Sequence, residues 1–358
     1  MTQESRSYPL FVGSYGSAAE AGVRLFTFDP ESGKLQQEQS LTGIESPSFL
    51  AYDARRSTLY VVSETGDGNA QGGAVVAVRV DPDDGRLTEI NRQPTLGDHP
   101  CHLSLDPSGD WLLLVNYSGG SISIYPIGSD GALGALSQKL DHKGSSVNAD
   151  RQEGPHPHAI YPVPGTDFYL ANDLGTDTVY TYRLDRQRGE LLLHRETKVV
   201  PGAGPRHLAI HPTRPFVYVI EELSSAIDVF ALDAAEGALT HLQTLSTLPE
   251  AFAGKSYCAE VAVSRDGRFV YGSNRGHDSI ASFRVGADGL LEPIGHTPSG
   301  GKTPRNFLPL PDGRWILSAN QDTDWIAVLS VDEDGYPTLT ESGYPMRKPV
   351  CIRLLERI

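Results

Sequence analysis

Hydrophobic residues along this chain fall in short strand-length bursts, separated by tight polar turns. One phrase recurs seven times: an apolar strand, a turn ending in glycine, then a leucine near the start of the next strand. The copies are FTFDPESGKL, VRVDPDDGRL, YPIGSDGAL, YRLDRQRGEL, FALDAAEGAL, FRVGADGLL and LSVDEDGYPTL. Their glycines (Gly33, Gly85, Gly131, Gly189, Gly237, Gly289 and Gly335) lie 52, 46, 58, 48, 52 and 46 residues apart. A period near fifty, built only from strands and turns, predicts the blades of a β-propeller. Each glycine is expected at the positive-φ position of a hairpin turn, where a Cβ is penalised.

A second register runs through the same repeats. Segments reading Pro-x-x-apolar-x-apolar start at Pro47, Pro100, Pro155, Pro205 and Pro304, with Tyr257 and Pro349 filling the same slot. Each is predicted to be the innermost strand of a blade. The next strand ends at Glu64, Tyr117, Asp173, Glu222, Arg275 and Gln321, 17 or 18 positions after the start. LFVGSY, ending at Tyr15, has no inner strand before it, and the C-terminal PVCIRLLE has no strand after it. The C-terminal strand is therefore expected to complete the N-terminal blade, a closure that leaves no sheet edge exposed. The fold expected is all-β: one seven-bladed propeller over residues 1–358, with four antiparallel strands per blade. A pair of β-sandwich domains is the alternative, and no Pro-, Gly- or Ser-rich linker near the middle favours it.

Composition narrows the setting. The chain has 358 residues, 39% of them hydrophobic and 21% charged, which is globular. A net charge of −15 argues against nucleic acid or an anionic membrane as partner. No apolar stretch approaches a membrane span, and MTQESRSYPL lacks the layout of a secretion signal. Three cysteines (Cys101, Cys258, Cys351) without CxxC spacing predict neither a disulfide framework nor a zinc knuckle. A reducing, cytoplasmic home is the expectation.

The start of the first strand and the end of the second meet at one rim, around the axis. The slot after each starting proline holds Ser48, Cys101, His156, Arg206, Cys258, Arg305 and Val350. Two positions on, facing the same way by strand alternation, come Leu50, Leu103, His158, Leu208, Glu260, Phe307 and Ile352. The second strand adds Asp173, Glu222, Arg275 and Gln321, with Asn172, Asn274 and Asn320 just before. Polar groups beside a packed axis are costly unless paired or wet. Two histidines, three arginines, carboxylates and asparagines converging on one opening predict a ligand pocket. The expected lining is His156, His158, Asp173, Arg206, Glu222, Glu260, Arg275, Arg305 and Asn320. By alternation His102 and His207 are read as blade-packing residues, and Cys101 and Cys258 as small core residues.

No nucleophile elbow, G-x-G-x-x-G or P-loop occurs, so neither a covalent serine mechanism nor a nucleotide cofactor is expected. The His-Pro-His pair alone is weak support for a metal, and none is expected. What remains is acid–base chemistry: Glu222 or His156 takes a proton from water, while Arg206 and Arg275 face a developing oxyanion. Arginines also dock planar anions bidentately, which reconciles a small anionic ligand with an acidic chain.

PHPHA, NDLGTD, GAGPRH, EELSS, DGRFVYGSNRG, KTPRNF and the terminal PVC together resemble the lactonase family of seven-bladed propellers. That family includes cycloisomerase-type 6-phosphogluconolactonases and the fungal muconate-lactonising enzymes. The resemblance implies that His156, Arg206, Glu222 and Arg275 surround a lactone, His156 matching the family histidine better than His158. Where the family often has Asn-Glu-Leu, this chain has Glu221-Glu222-Leu223, which leaves the proton acceptor open between two carboxylates. The implied activity is metal-independent hydrolysis of a sugar lactone, 6-phosphogluconolactone first. The alternatives are a muconate-type cycloisomerase and a non-catalytic interaction propeller, and the chain lacks the Trp-Asp pairs common in the latter.

Overall fold

The computed structural model describes residues 7–66, 68 and 70–355. Its strands form seven four-stranded antiparallel sheets, each in sequence order from the axis outwards, except the sheet that closes the ring. There Pro349–Leu354 lies innermost, paired antiparallel with Tyr8–Ser14 through Leu10–Leu354, Phe11–Arg353 and Val12–Ile352. We number this sheet blade 1. Blades 2 to 7 begin at Leu50, Pro100, Pro157, Pro205, Tyr257 and Pro304. The seven-bladed, all-β architecture and its closure are as the sequence predicts.

Burial follows the position of each strand in its blade. Second strands are covered on both faces by neighbouring blades; all six residues of Thr58–Ser63 and of Phe168–Asp173 are buried. Such strands read as continuous apolar runs because no face meets water. Outer strands alternate instead, as in Lys34–Leu41, where every second residue is exposed.

The seven turn glycines all have positive φ, between +60° and +85°. They also dock blade on blade. A Cβ on Gly189 of blade 4 would sit 2.2 Å from the Trp111 ring of blade 3, and one on Gly335 of blade 7 would sit 2.3 Å from Phe269 of blade 6. The Tyr60, Tyr218 and Tyr271 hydroxyls donate to the carbonyls of Gly131, Gly289 and Gly335 in the next blade, at 3.0–3.1 Å.

The entry to each inner strand positions the site. Ser46, His99, Thr303 and Lys348, each followed by proline, adopt left-handed φ of 39–58°, and Gly204 takes the same turn. The carbonyls of Ser46, His99, His156, Gly204, Thr303 and Lys348 accept the N–H of Glu64, Tyr117, Leu174, Glu222, Gln321 and Tyr15. Arg275 pairs with Tyr257 in the same way. A ring of seven equivalent rim positions results, one per blade, beside the axis.

Candidate active site

Register shifts follow the first residue of the inner strand in several blades, between Pro100 and His102, Pro157 and Ala159, Pro205 and His207, and Pro304 and Asn306. Such a bulge breaks simple alternation and re-aims the side chains beside it. Its effect is to point two successive residues at the axis. Arg206 faces the chamber at the rim, while His207 packs beneath it, its ring 5.2 Å from His158, 5.4 Å from His102 and 6.0 Å from Phe49.

Glu222 is the hub of the chamber. Its carboxylate lies 3.0 Å from Arg206 Nε, 2.7 Å from an Arg275 terminal nitrogen and 2.6 Å from one of Arg151. Arg206 also donates to the Ala259 carbonyl, Arg275 to that of Cys258 at 2.8 Å, and Arg151 to the Tyr117 hydroxyl at 3.2 Å. Burial alone would raise the Glu222 pKa, but Arg275, Arg206, His158 and Arg151 outweigh it and hold the group well below its usual range. Burial, with Arg275 and Arg305 beside it, pushes the Arg206 pKa down to about 10, still charged at neutral pH. Arg275 Nε is buried with no hydrogen-bond acceptor, whereas Arg206 Nε meets the Glu222 carboxylate at 3.0 Å, off the line of its N–H. Unmet donors of this kind are costly, and they suit an oxygen ligand in the chamber.

His158 stands opposite, 4% exposed, its Nδ1 3.8 Å from Cys101 Sγ. Burial, then Arg206 and His207, keep its pKa well below 6.5, so the ring is a neutral imidazole. Burial holds Cys101 as the thiol. The remaining wall is formed by blades 7, 1 and 2. The Arg305 guanidinium lies 5.3 Å over the Tyr15 ring, and the Tyr15 hydroxyl donates to Glu64 at 2.9–3.0 Å. Burial raises the Tyr15 pKa and keeps it a neutral phenol. Four arginines thus meet the carboxylates of Glu222 and Glu64, a local excess of positive charge in an acidic protein. Among the described residues, no group of three His, Cys, Asp or Glu side chains is arranged to hold a metal ion.

The model of the family described as "Lactonase, 7-bladed beta-propeller" matches residues 9–354. The chain belongs to this family. It is 33% identical over 350 residues to a 6-phosphogluconolactonase of Bacillus subtilis, covering 97% of this chain and 98% of the relative. A 6-phosphogluconolactonase of Formosa agariphila is 32% identical over 333 residues, 90% of this chain and 92% of that one. The structure of the Pseudomonas aeruginosa periplasmic gluconolactonase PpgL superposes with a TM-score of 0.92 at 33% identity, covering 99% of this chain and 100% of that one. Lactonases are hydrolases, and this chain is an enzyme of that kind.

The chamber gathers Arg206, Glu222, Arg275, Arg305 and His158 of the residues expected from the sequence. The others sit elsewhere. His156 occupies the rim position before the inner strand; it stacks on Tyr117 at 4.5 Å and bonds the Tyr117 carbonyl and Glu153. Blade 4 starts at Pro157, not Pro155, because Pro157 pairs with Asp173 as Pro205 pairs with Glu221. His158 therefore takes the slot of Arg206 and Arg305, and Leu174 takes the rim position expected for Asp173. Asp173 is fully buried, accepting from the N–H of His156 and Gly175 and facing His142 at 2.7 Å. Asn320 is fully buried too, donating to the Ser299 carbonyl. Glu260 lies below the chamber floor, bonded to His207 at 3.0 Å and to Asn306. His102 and His207 are axial, not blade-packing. Cys258 pairs with Asn274 inside its sheet, so Ala259 fills the slot that alternation assigned to it. Glu221 is turned away from the axis, towards Asp228 and Asp177.

Tyr15, Glu64, Tyr117 and Arg151 line the chamber without having been singled out. The first three hold the rim positions equivalent to Glu222 and Arg275, so the repeat itself marks them. Arg151 comes from the 142–156 connection between blades 3 and 4, which is longer than the corresponding connection at any other blade boundary.

Proposed function

We propose that this lactonase hydrolyses a sugar δ-lactone, 6-phosphogluconolactone first, to the open hydroxy acid without a metal. The observation that carries this reading is a neutral buried histidine facing arginines locked onto one carboxylate. His158 takes a proton from water as the water oxygen attacks the lactone carbonyl carbon. Arg206 and Arg275 carry the resulting oxyanion, pre-oriented by Glu222, in a chamber where such donors count for more than in bulk water. Collapse breaks the bond from the acyl carbon to the ring oxygen, which leaves with the proton from the His158 imidazolium. Glu222, paired with three guanidiniums, is a poor base; its part is to hold the arginines and to stabilise the transient imidazolium. The excess of arginine, and the relatives named 6-phosphogluconolactonase, support an anionic substrate. A reducing cytoplasmic setting fits three free, buried thiols, although PpgL is periplasmic.

The test follows the decay of 6-phosphoglucono-δ-lactone, generated in place, with chelator-treated protein. The expected result is acceleration that Arg206→Ala abolishes. Decay no faster than the spontaneous rate would sink the proposal.

A further inference from the structure

The chamber has two unlike halves. In the half from blades 4 to 6, every guanidinium is ion-paired: Arg206, Arg275 and Arg151 all lie within 3.0 Å of the Glu222 carboxylate. Arg275 is further pinned to the Cys258 carbonyl. The half from blades 7, 1 and 2 differs. Among the described residues Arg305 has no carboxylate within 4.0 Å and no hydrogen bond to protein; its one close partner is the Tyr15 ring, 5.3 Å below it. Glu64, the nearest acid on that wall, is engaged by the Tyr15 hydroxyl through both its oxygens. Tyr15 thus occupies the neighbouring carboxylate and presents its ring face to the guanidinium. A guanidinium held over a ring and bonded to no acceptor keeps its donors free, and its planar fork can take two oxygens of a phosphoryl group or carboxylate at once.

Charge decides between a neutral and an anionic occupant. Four arginines against Glu222 and Glu64 leave an excess of two positive charges in the chamber, and Glu153 at the rim is solvent-exposed. A neutral sugar lactone leaves that excess uncompensated. A phosphoryl group brings about −1.5 to −2 charge and three acceptor oxygens. We infer that Arg305, set by the Tyr15–Glu64 pair, is the specificity-determining residue, gripping the phosphoryl group of the substrate while the opposite half works on the lactone carbonyl. This rests on the sugar-lactone reading above and adds to it which residue selects a phosphorylated over a plain lactone, and why Arg275, already committed to Glu222, does not.

The experiment compares kcat/KM for 6-phosphoglucono-δ-lactone and glucono-δ-lactone in wild type, Arg305→Gln, Arg305→Lys and Arg275→Gln, with calorimetric binding of 6-phosphogluconate and gluconate alongside. In Arg305→Gln the preference for the phosphorylated lactone should fall about 10- to 150-fold, the worth of charge-assisted hydrogen bonds, mainly through KM. Arg305→Lys should recover part of it, and Arg275→Gln should lower both lactones alike. Equal losses on both lactones in Arg305→Gln, or a wild type that prefers the plain lactone, would overturn the inference and leave the lactonase reading standing. If wild type turns over neither lactone, the sugar-lactone reading falls. Tighter binding of 6-phosphogluconate than of gluconate, lost in Arg305→Gln, would then still support the anion grip, and equal binding would overturn it.

Discussion

Glu221 is a buried acid whose charged neighbours are other carboxylates, Asp228 and Asp177. It is 1% exposed, and neither carboxyl oxygen has a hydrogen-bond partner. Its equivalents in three other blades are neutral amides whose N–H groups find acceptors: Asn116 donates to Ser121 and Ser123, Asn274 to Thr247, and Asn320 to Ser299. Burial, then Asp228 and Asp177, push the Glu221 pKa well above 4.5. The folded protein therefore keeps a proton that the unfolded chain releases as pH rises through the ordinary carboxylate range. Stability falls with pH from that point until the raised folded pKa is passed, at up to about 1.4 kcal/mol per pH unit for one proton. Glu221→Gln removes the titration and supplies amide donors towards Asp228. At roughly 2.1 cal/mol/K per residue, unfolding a chain of this size carries about 0.75 kcal/mol/K, so the linkage is worth about 2 °C of Tm per pH unit. Scanning calorimetry at one fixed rate, from pH 5 to pH 8, should show a gap between variant and wild type that opens from near zero by up to about 2 °C per unit. A gap that does not change with pH, or a variant less stable throughout, would refute the argument. His102, His158 and His207 also titrate abnormally, but they are common to both proteins and cancel in the difference.

Other expectations concern the chamber and the ring. Because His158 is held neutral, kcat/KM should stay level as pH falls through 6.5 and decline only in stronger acid; a midpoint at 6.5 would count against it as the base. His158→Gln should cost about 10²- to 10⁴-fold in kcat, and His156→Gln, on the rim, less than about tenfold. Arg151→Met should leave a folded protein by circular dichroism but lower kcat/KM by about 10- to 100-fold, since one charge-assisted bond to Glu222 is lost. Gly189→Ala, at φ +67° with its Cβ 2.2 Å from Trp111, should lower Tm clearly more than Gly165→Ala, at φ +75° with nothing within 4 Å. Equal losses would mean that backbone conformation alone, not blade docking, fixes the glycine.

The fold was legible because a glycine in each turn and a proline at most inner strands repeat with the blades, and both have local physical causes. The chamber was less so, for three reasons. PHPH offers two prolines as the start of blade 4, and YCAE offers none for blade 6. Spacing resolves both: Glu64, Tyr117, Glu222 and Gln321 each lie 17 residues after their proline, which selects Pro157 and Cys258 as the starts matching Leu174 and Arg275. The second obstacle is the bulge, which no residue type announces. It turns His207 towards the axis where simple alternation points it into the blade. Arg151 is a third kind of case, lying in a connection that the repeat does not describe.

Closure of the ring has a meaning for how the enzyme comes into being. Tyr15 and Arg305 are 290 positions apart in the chain, and they become neighbours because Pro349–Leu354 seals blade 1 against blade 7. A chain still emerging from the ribosome can build blade after blade and already own the arginines of blades 5 and 6. It cannot own the wall opposite them until its last strand is free to dock. Under the proposed function, turnover of an anionic lactone should therefore be a readout of completion: a chain clipped before Pro349 is expected to be silent, and activity to appear with the final stitch.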